Sequence, residues 1–398
     1  MKPNFGLMLV IKSIKFNSRK FCFSIMKKNL IIIMIDGGRL DRALSSSLFE
    51  KLKSKSCFLS QSITYAPHTI AAMHAVFSGS YGSRNGTNSY WSTYQFKKNK
   101  FKTLTEYLHD AGYYTQADLL NKLIVPKQGF DKFEIHDEQR DNLTSRHKKI
   151  LQDIKQNFSE GNFFVYLHYS NIHTGIKNEV LNNYDNYSKE YFESRKINEE
   201  RYDKLFRNAE NYLESILNEI ENLEMNDDSL VLVMSDHGIS VGEKFGERAY
   251  GAFCYDYTIR TFTYFLANNL PTLEIKQQTR TIDFMPTVLD FLEIPLDHNF
   301  ASLDGISLMP LINGEETDEK IAFTETANPL ESKKPPKETN TKSVRTSKWK
   351  LIYNEHNDTK ELYNLEQDPN ENENLVGNGL EIENILWEKL TQLITTRD

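Results

Sequence analysis

The chain has 398 residues, 39% hydrophobic and 26% charged, enough to bury a sizeable core in one large domain or two unequal ones. A formal net charge of -7 argues against a general nucleic-acid binder, which needs clustered positive charge. Cys22, Cys57 and Cys254 show neither close pairing nor zinc-ligand spacing, so free thiols are expected and no disulfide framework.

Lys12, Lys15, Arg19 and Lys20 interrupt any apolar core that an export signal or membrane helix would need near the start. Residues 1–27 therefore read as an N-terminal extension, with Met26 an alternative start, and the expected location is the cytoplasm. Leu30-Ile-Ile-Ile-Met-Ile35 is a continuous apolar run ending in Asp-Gly-Gly, the pattern of a strand buried on both faces. In open α/β sheets functional groups gather at the carboxyl ends of such strands, where Asp36 falls.

Thr69-Ile-Ala-Ala-Met-His-Ala-Val-Phe-Ser78 has helical propensity and stops at Gly79, so Thr69 is a hydroxyl at a helix N-terminus, where unpaired N–H groups favour an anion. An amphipathic helix is expected between Phe101 and Gly112, a short strand over 117–120 and a loop over Gly129–Phe133. Phe163–Tyr169 is a second buried strand, closing on Ser170-Asn-Ile-His-Thr174, with His168 inside the strand and His173 beyond it. Residues 184–226 predict a long helix, Ser229–Met234 a third buried strand delivering Asp236 and His237, and 261–266 a fourth. A helix over 282–292 follows. The proline- and lysine-bearing stretch 328–342 reads as a linker. Beyond it, 349–353 and 361–365 predict two antiparallel strands and 382–394 a closing helix. The expected division is a catalytic domain over 28–330 and a small C-terminal unit over 340–398.

Two carboxylates, an imidazole and a hydroxyl at strand ends and a helix start make an oxygen/nitrogen metal site, with Asp36, Thr69, Asp236 and His237 as ligands. A divalent cation there lowers the hydroxyl's pKa and neutralises a substrate oxyanion. His173 is the candidate proton donor to a leaving group. His68 and His74 flank Thr69 as candidate substrate-binding groups, Lys244 is a candidate from the loop that follows the third buried strand, and Arg39 is read as orienting Asp36 from behind.

These segments resemble the sulfatase family of the alkaline phosphatase superfamily. Asp36-Gly-Gly-Arg-Leu-Asp41 is similar to its opening acidic motif, Ser78-Gly-Ser-Tyr-Gly-Ser-Arg-Asn-Gly86 to the turn after its nucleophile helix, and His168-Tyr-Ser-Asn-Ile-His173 to its leaving-group histidine segment. Ser235-Asp-His-Gly238 with Gly242-Glu243 resembles its second metal motif. Arg345–Tyr353 and Glu361–Pro369 resemble its tail unit. The resemblance implies an alkaline-phosphatase-like α/β sandwich, a mostly parallel central sheet between helices, with a small C-terminal α+β unit.

Family sulfatases carry Cys or Ser, oxidised to formylglycine, in a Cys/Ser-x-Pro-x-Arg signature, whereas the matching stretch here is Thr69-Ile-Ala-Ala-Met73. Threonine at this place resembles the phosphodiesterase and phosphotransferase members. The first reading is therefore a metal-dependent hydrolase or transferase acting on a phosphodiester through a covalent Thr69 intermediate; the alternatives are a sulfuric ester hydrolase and a catalytically silent, glycan-binding member. Gly37 replaces the second aspartate of the opening motif, which removes an oxygen ligand, and His237 favours manganese or zinc over calcium or magnesium. Arg207 stands where a second-zinc histidine would follow Asp203, so one metal is expected. The substrate class is a small-molecule, glycan-linked or lipid-linked anionic ester.

Overall fold

Strand β1 (Asn29–Ile35) is buried along Leu30–Ile35, each side chain 0–1% exposed, because both sheet faces are covered. Fully burying each such side chain contributes roughly 1.5–3 kcal/mol. The computed structural model describes residues 28–158, 161–185, 188–328 and 338–395. The extension read over 1–27 and the prolines at 329, 335 and 336 lie outside the described residues.

Seven further strands join β1: β2 (Cys57–Leu59), β3 (Tyr114–Leu119), β4 (Lys132–Ile135), β5 (Phe163–Tyr169), β6 (Ser229–Ser235), β7 (Thr263–Leu266) and β8 (Leu273–Ile275). Their order is β8-β2-β7-β6-β1-β5-β3-β4, and β7 alone runs antiparallel to its neighbours. The three apolar runs are thus central neighbours, β1 lying between β5 and β6 with Met34 opposite His168 and Ile35 opposite Ser235.

Helix α1 (Thr69–Ser78) packs Met73, Val76 and Phe77 on one face of the sheet beside Tyr166, and ends on Gly79 in the left-handed region at φ 59°. Helices α2 (Leu104–Asp110) and α5 (Phe284–Phe291) share that face through Leu104, Leu108, Val288 and Leu289. On the opposite face lie α3 (Leu143–Asn157) and α4 (Arg195–Asn222), the latter presenting Tyr202, Leu205, Ala209, Leu213, Ile216 and Ile220 at helical spacing.

Three elements differ from the sequence reading. The stretch read as a loop over Gly129–Phe133 runs into β4, a four-residue edge strand with no buried side chain and hence no apolar signature. The strand expected over 261–266 is divided at Phe262: Arg260–Thr261 joins a small sheet with Ser62–Ile63, and only Thr263–Leu266 enters the main sheet. The C-terminal sheet has four antiparallel strands, β9 (Ala322–Thr326), β10 (Thr341–Arg345), β11 (Trp349–Asn354) and β12 (Thr359–Asn364), so it starts well before residue 340. Helix α6 (Glu381–Thr395) packs Leu386 and Leu390 against this sheet.

Strand β9 buttresses the approach to α1: the Thr324 hydroxyl donates to the Thr64 carbonyl at 2.7 Å, and the Glu325 N–H donates to Tyr65 O at 3.1 Å. Arg345, 2% exposed, adds bonds to both Asp256 carboxylate oxygens (2.9 and 2.7 Å), Gln278 (2.7 Å) and Gln61 (3.1 Å). Lys350 reaches Asp256 and Glu371, each at 2.6 Å. Removing one partner of a buried ion pair leaves uncompensated charge, typically costing about 3–5 kcal/mol. Arg345→Ala is accordingly expected to lower unfolding free energy by about that amount in a urea titration; an unchanged midpoint would show that this network does not hold the two sheets together.

Candidate metal centre and nucleophile

The β1–β6 register delivers Asp36 and Asp236 one residue beyond the paired Ile35 and Ser235, so two buried carboxylates emerge side by side. Asp36, Asp236 and His237 each offer a ligand atom, all within 4.8 Å of one another. Thr69, at the first turn of α1 and 5% exposed, sets its Oγ1 3.4 Å from Asp36 Oδ2 and 3.3 Å from His237 Nε2.

The donor set fits a divalent cation. Asp36 Oδ1 and Asp236 Oδ2 are buried without a hydrogen-bond partner, an expensive arrangement for carboxylates unless another positive group faces them. His237 Nδ1 lies 2.8 Å from the Gly238 carbonyl, an acceptor only, so this nitrogen carries the proton and the Nε2 lone pair points at the carboxylates. Burial raises both carboxyl pKa values, but the two diverge. Against burial, the His168 hydrogen bond and the His173, His168 and His237 imidazoles hold Asp36 at about 2, whereas for Asp236 burial outweighs the His237 imidazole and the Asp36 charge adds to the rise.

Gly37 has φ +71°, a conformation in which an aspartate would be strained, and a Cβ there would press on the tip of Ile239 at 2.9 Å. The Gly37 N–H instead donates to Asp236 Oδ1 at 3.1 Å.

His173 approaches the cluster, its Nδ1 4.0 Å from Asp36 Oδ1 and 3.0 Å from the Tyr250 hydroxyl, with its side chain 31% exposed. His68 is buried next to α1, and burial, reinforced by His237, lowers its pKa to about 3 and keeps it neutral. Three of the expected side chains sit elsewhere. His74 turns its Nδ1 onto the Ile70 carbonyl at 2.9 Å, one turn back in its own helix, so it serves the helix and not the cluster. The Lys244 ammonium reaches the Glu371 carbonyl and lies 5.0 Å from the centre of the Tyr255 ring, facing the C-terminal unit. Arg39 bonds Asp41 (3.0 and 2.8 Å), Glu243 and the Ile239 carbonyl (2.8 Å), so it clasps the loops after β1 and β6 and does not touch Asp36 itself.

The group that does touch Asp36 is His168, with Nε2 3.0 Å from Oδ2. Leu120 N–H approaches Nδ1 at 3.3 Å, which leaves the proton on Nε2, the donor to Asp36. Its signal in the sequence was one imidazole placed near the carboxyl end of an otherwise apolar strand. Asp203, read against a missing second-zinc histidine, pairs with Arg42 at 2.8 Å.

A family model described as Sulfatase matches residues 28–294, and one described as N-sulphoglucosamine sulphohydrolase, C-terminal, matches residues 252–396. The chain belongs to the sulfatase family. A choline-sulfatase of Rhizobium meliloti (strain 1021) is 28% identical over 164 residues, 41% of this chain but 30% of that protein. A 2-O glycosaminoglycan sulfatase shares the fold at TM-score 0.73 and 18% identity, covering 93% of this chain and 92% of that one. A phosphonate monoester hydrolase of Agrobacterium radiobacter does so at TM-score 0.74 and 13% identity, covering 94% and 96%. Among the described residues no helix is long and apolar enough to cross a membrane.

Glu247, in the loop that carries Tyr250, is buried, and its carboxylate accepts from Ala252 N (3.1 Å) and Phe253 N (2.8 Å). Burial outweighs these bonds and raises its pKa to about 7 from 4.5. The folded state therefore binds this proton more tightly, and stability falls as pH rises from about 4.5 to about 7. Glu247→Gln is expected to flatten that part of the stability–pH curve in urea titrations; an unaltered slope would mean that Glu247 ionises as freely as in the unfolded chain.

Proposed function

We propose that the chain hydrolyses a sulfuric ester of a small or glycan-linked alcohol, with Thr69 as the attacking hydroxyl. Kinship supports the sulfate: both family models are sulfatase models, and together they span residues 28–396. The observation that carries the catalytic roles is the Thr69 hydroxyl, within 3.4 Å of both Asp36 and His237 at the start of α1. Asp36, Asp236, His237 and Thr69 would hold a divalent cation, which would supply Lewis acidity to the hydroxyl and charge compensation to the ester, with manganese or zinc favoured by the imidazole ligand. The free N–H groups of α1 orient the anionic ester, and His173, at the open side of the cluster, gives a proton to the departing alcohol oxygen. His168 holds the Asp36 carboxylate in register, and Tyr250 holds the His173 ring.

The second reading, cleavage or transfer of a phosphate ester, is favoured by one residue: position 69 is a threonine, whose hydroxyl can form and lose a phosphoester without prior oxidation. Both readings require Thr69 to lose its proton to solvent, to carry the transferred group as the alcohol departs, and to be freed when water attacks the sulfur or phosphorus and releases sulfate or phosphate. With aryl sulfate, phosphodiester, phosphomonoester and phosphonate substrates and added Mn²⁺ or Zn²⁺, sulfate turnover is expected to exceed the rest. Thr69→Ala should lose about a thousandfold or more and Thr69→Ser keep part of the activity. Faster turnover of a phosphodiester would select the second reading, and full activity in Thr69→Ala would refute both.

A further inference from the structure

A second polar cluster lies behind the first. Asp118 near the end of β3, His136 one residue past β4 and His147 on α3 each offer a ligand atom, all within 4.8 Å of one another, and all three residues are at most 3% exposed. His136 Nδ1 stands 3.4 Å from Asp118 Oδ1, yet neither atom completes a hydrogen bond. His147 Nε2 stands 3.1 Å from Asp118 Oδ2.

The far sides of these groups are anchored. His136 Nε2 meets the Ser170 hydroxyl at 2.9 Å, His147 Nδ1 meets the Tyr212 hydroxyl, and Arg146 Nε donates to Asp118 Oδ2 at 2.7 Å. Both hydroxyls can accept, so each ring can carry its proton on the outer nitrogen and turn a lone pair inward. Metal-ligating histidines are held this way from behind. Arg146 occupies one carboxylate oxygen and leaves Oδ1 for the inner side.

We propose that Asp118, His136 and His147 form a second metal site, separate from the Asp36 centre and suited to zinc. One carboxylate and two imidazoles are a donor set that zinc takes and that magnesium or calcium does not prefer. The three ligands come from two strand ends and a helix of the opposite face, so an ion here ties α3 to the sheet. It also stiffens the wall behind the first centre: the His136 and His168 rings are 5.9 Å apart, and Ser170 follows β5 directly. The site acts by positioning His168, which touches Asp36.

The test uses full-length Asp236→Asn, in which the first centre is weakened, stripped of metal and titrated with Zn²⁺ alone. One zinc per chain is expected by equilibrium dialysis, with a raised thermal midpoint, and adding His147→Gln should weaken binding at least tenfold. X-ray absorption at the zinc edge should find two imidazole ligands in Asp236→Asn and one fewer once His147→Gln is added, a loss that zinc at the first centre, beside His237 and His173, would not show. Substoichiometric zinc without a shift in midpoint, or a single imidazole around the ion, would overturn the proposal and leave the cluster a buried ion pair.

Discussion

Two buried carboxylates held side by side are the constraint on which the rest of this molecule depends. Asp36 and Asp236 follow adjacent parallel strands whose register is fixed residue by residue from Asn29↔Ser229 to Ile35↔Ser235. Ionised oxygens within 4.8 Å of one another repel by at least about 3.5 kcal/mol at an effective dielectric of 20. The sheet tolerates this because six apolar residues of β1, buried on both faces, fix the strand regardless of what its end carries. Packing supplies the stability, and the repulsion it overrides makes a cation welcome.

Each neighbouring feature serves that pair. Arg39 joins the loop after β1 to the loop after β6, His168 takes up Asp36 Oδ2, and the Gly37 N–H takes up Asp236 Oδ1. Strand β9 and Tyr65 support the chain just before Thr69, so the C-terminal sheet bears on the hydroxyl through only a few bonded residues. The left-handed turn at Gly37 brings the backbone close to Ile239, in a conformation that favours glycine.

Much of the fold was legible because the three central strands are apolar on both faces, a pattern that few alternatives produce, and each ends in a residue of obvious chemistry. β4 was not legible, since an exposed edge strand has no reason to alternate. For the site, local sequence placed Asp36, Thr69, Asp236 and His237 at the ends of elements, where the backbone dictates position. It did not foretell where His74 and Lys244 turn, since those directions depend on helix phase and on a loop packing against a distant unit. Asp118, His136 and His147 gave no signal because they are spread over two strands and a helix, and only the β3–β4–α3 packing brings them together. Thr69 stands where the family's nucleophile motif carries an oxidisable residue, and Gly37 where its opening motif carries a second aspartate.

The central claim is that Asp36, Asp236, His237 and Thr69 enclose one divalent cation. Crystals grown with Mn²⁺ and measured near the manganese edge would test it most directly. The account predicts an anomalous peak bounded by these four side chains, with Thr69 Oγ1 turned toward it. Manganese bound elsewhere, with this cluster empty at saturating metal, would contradict it.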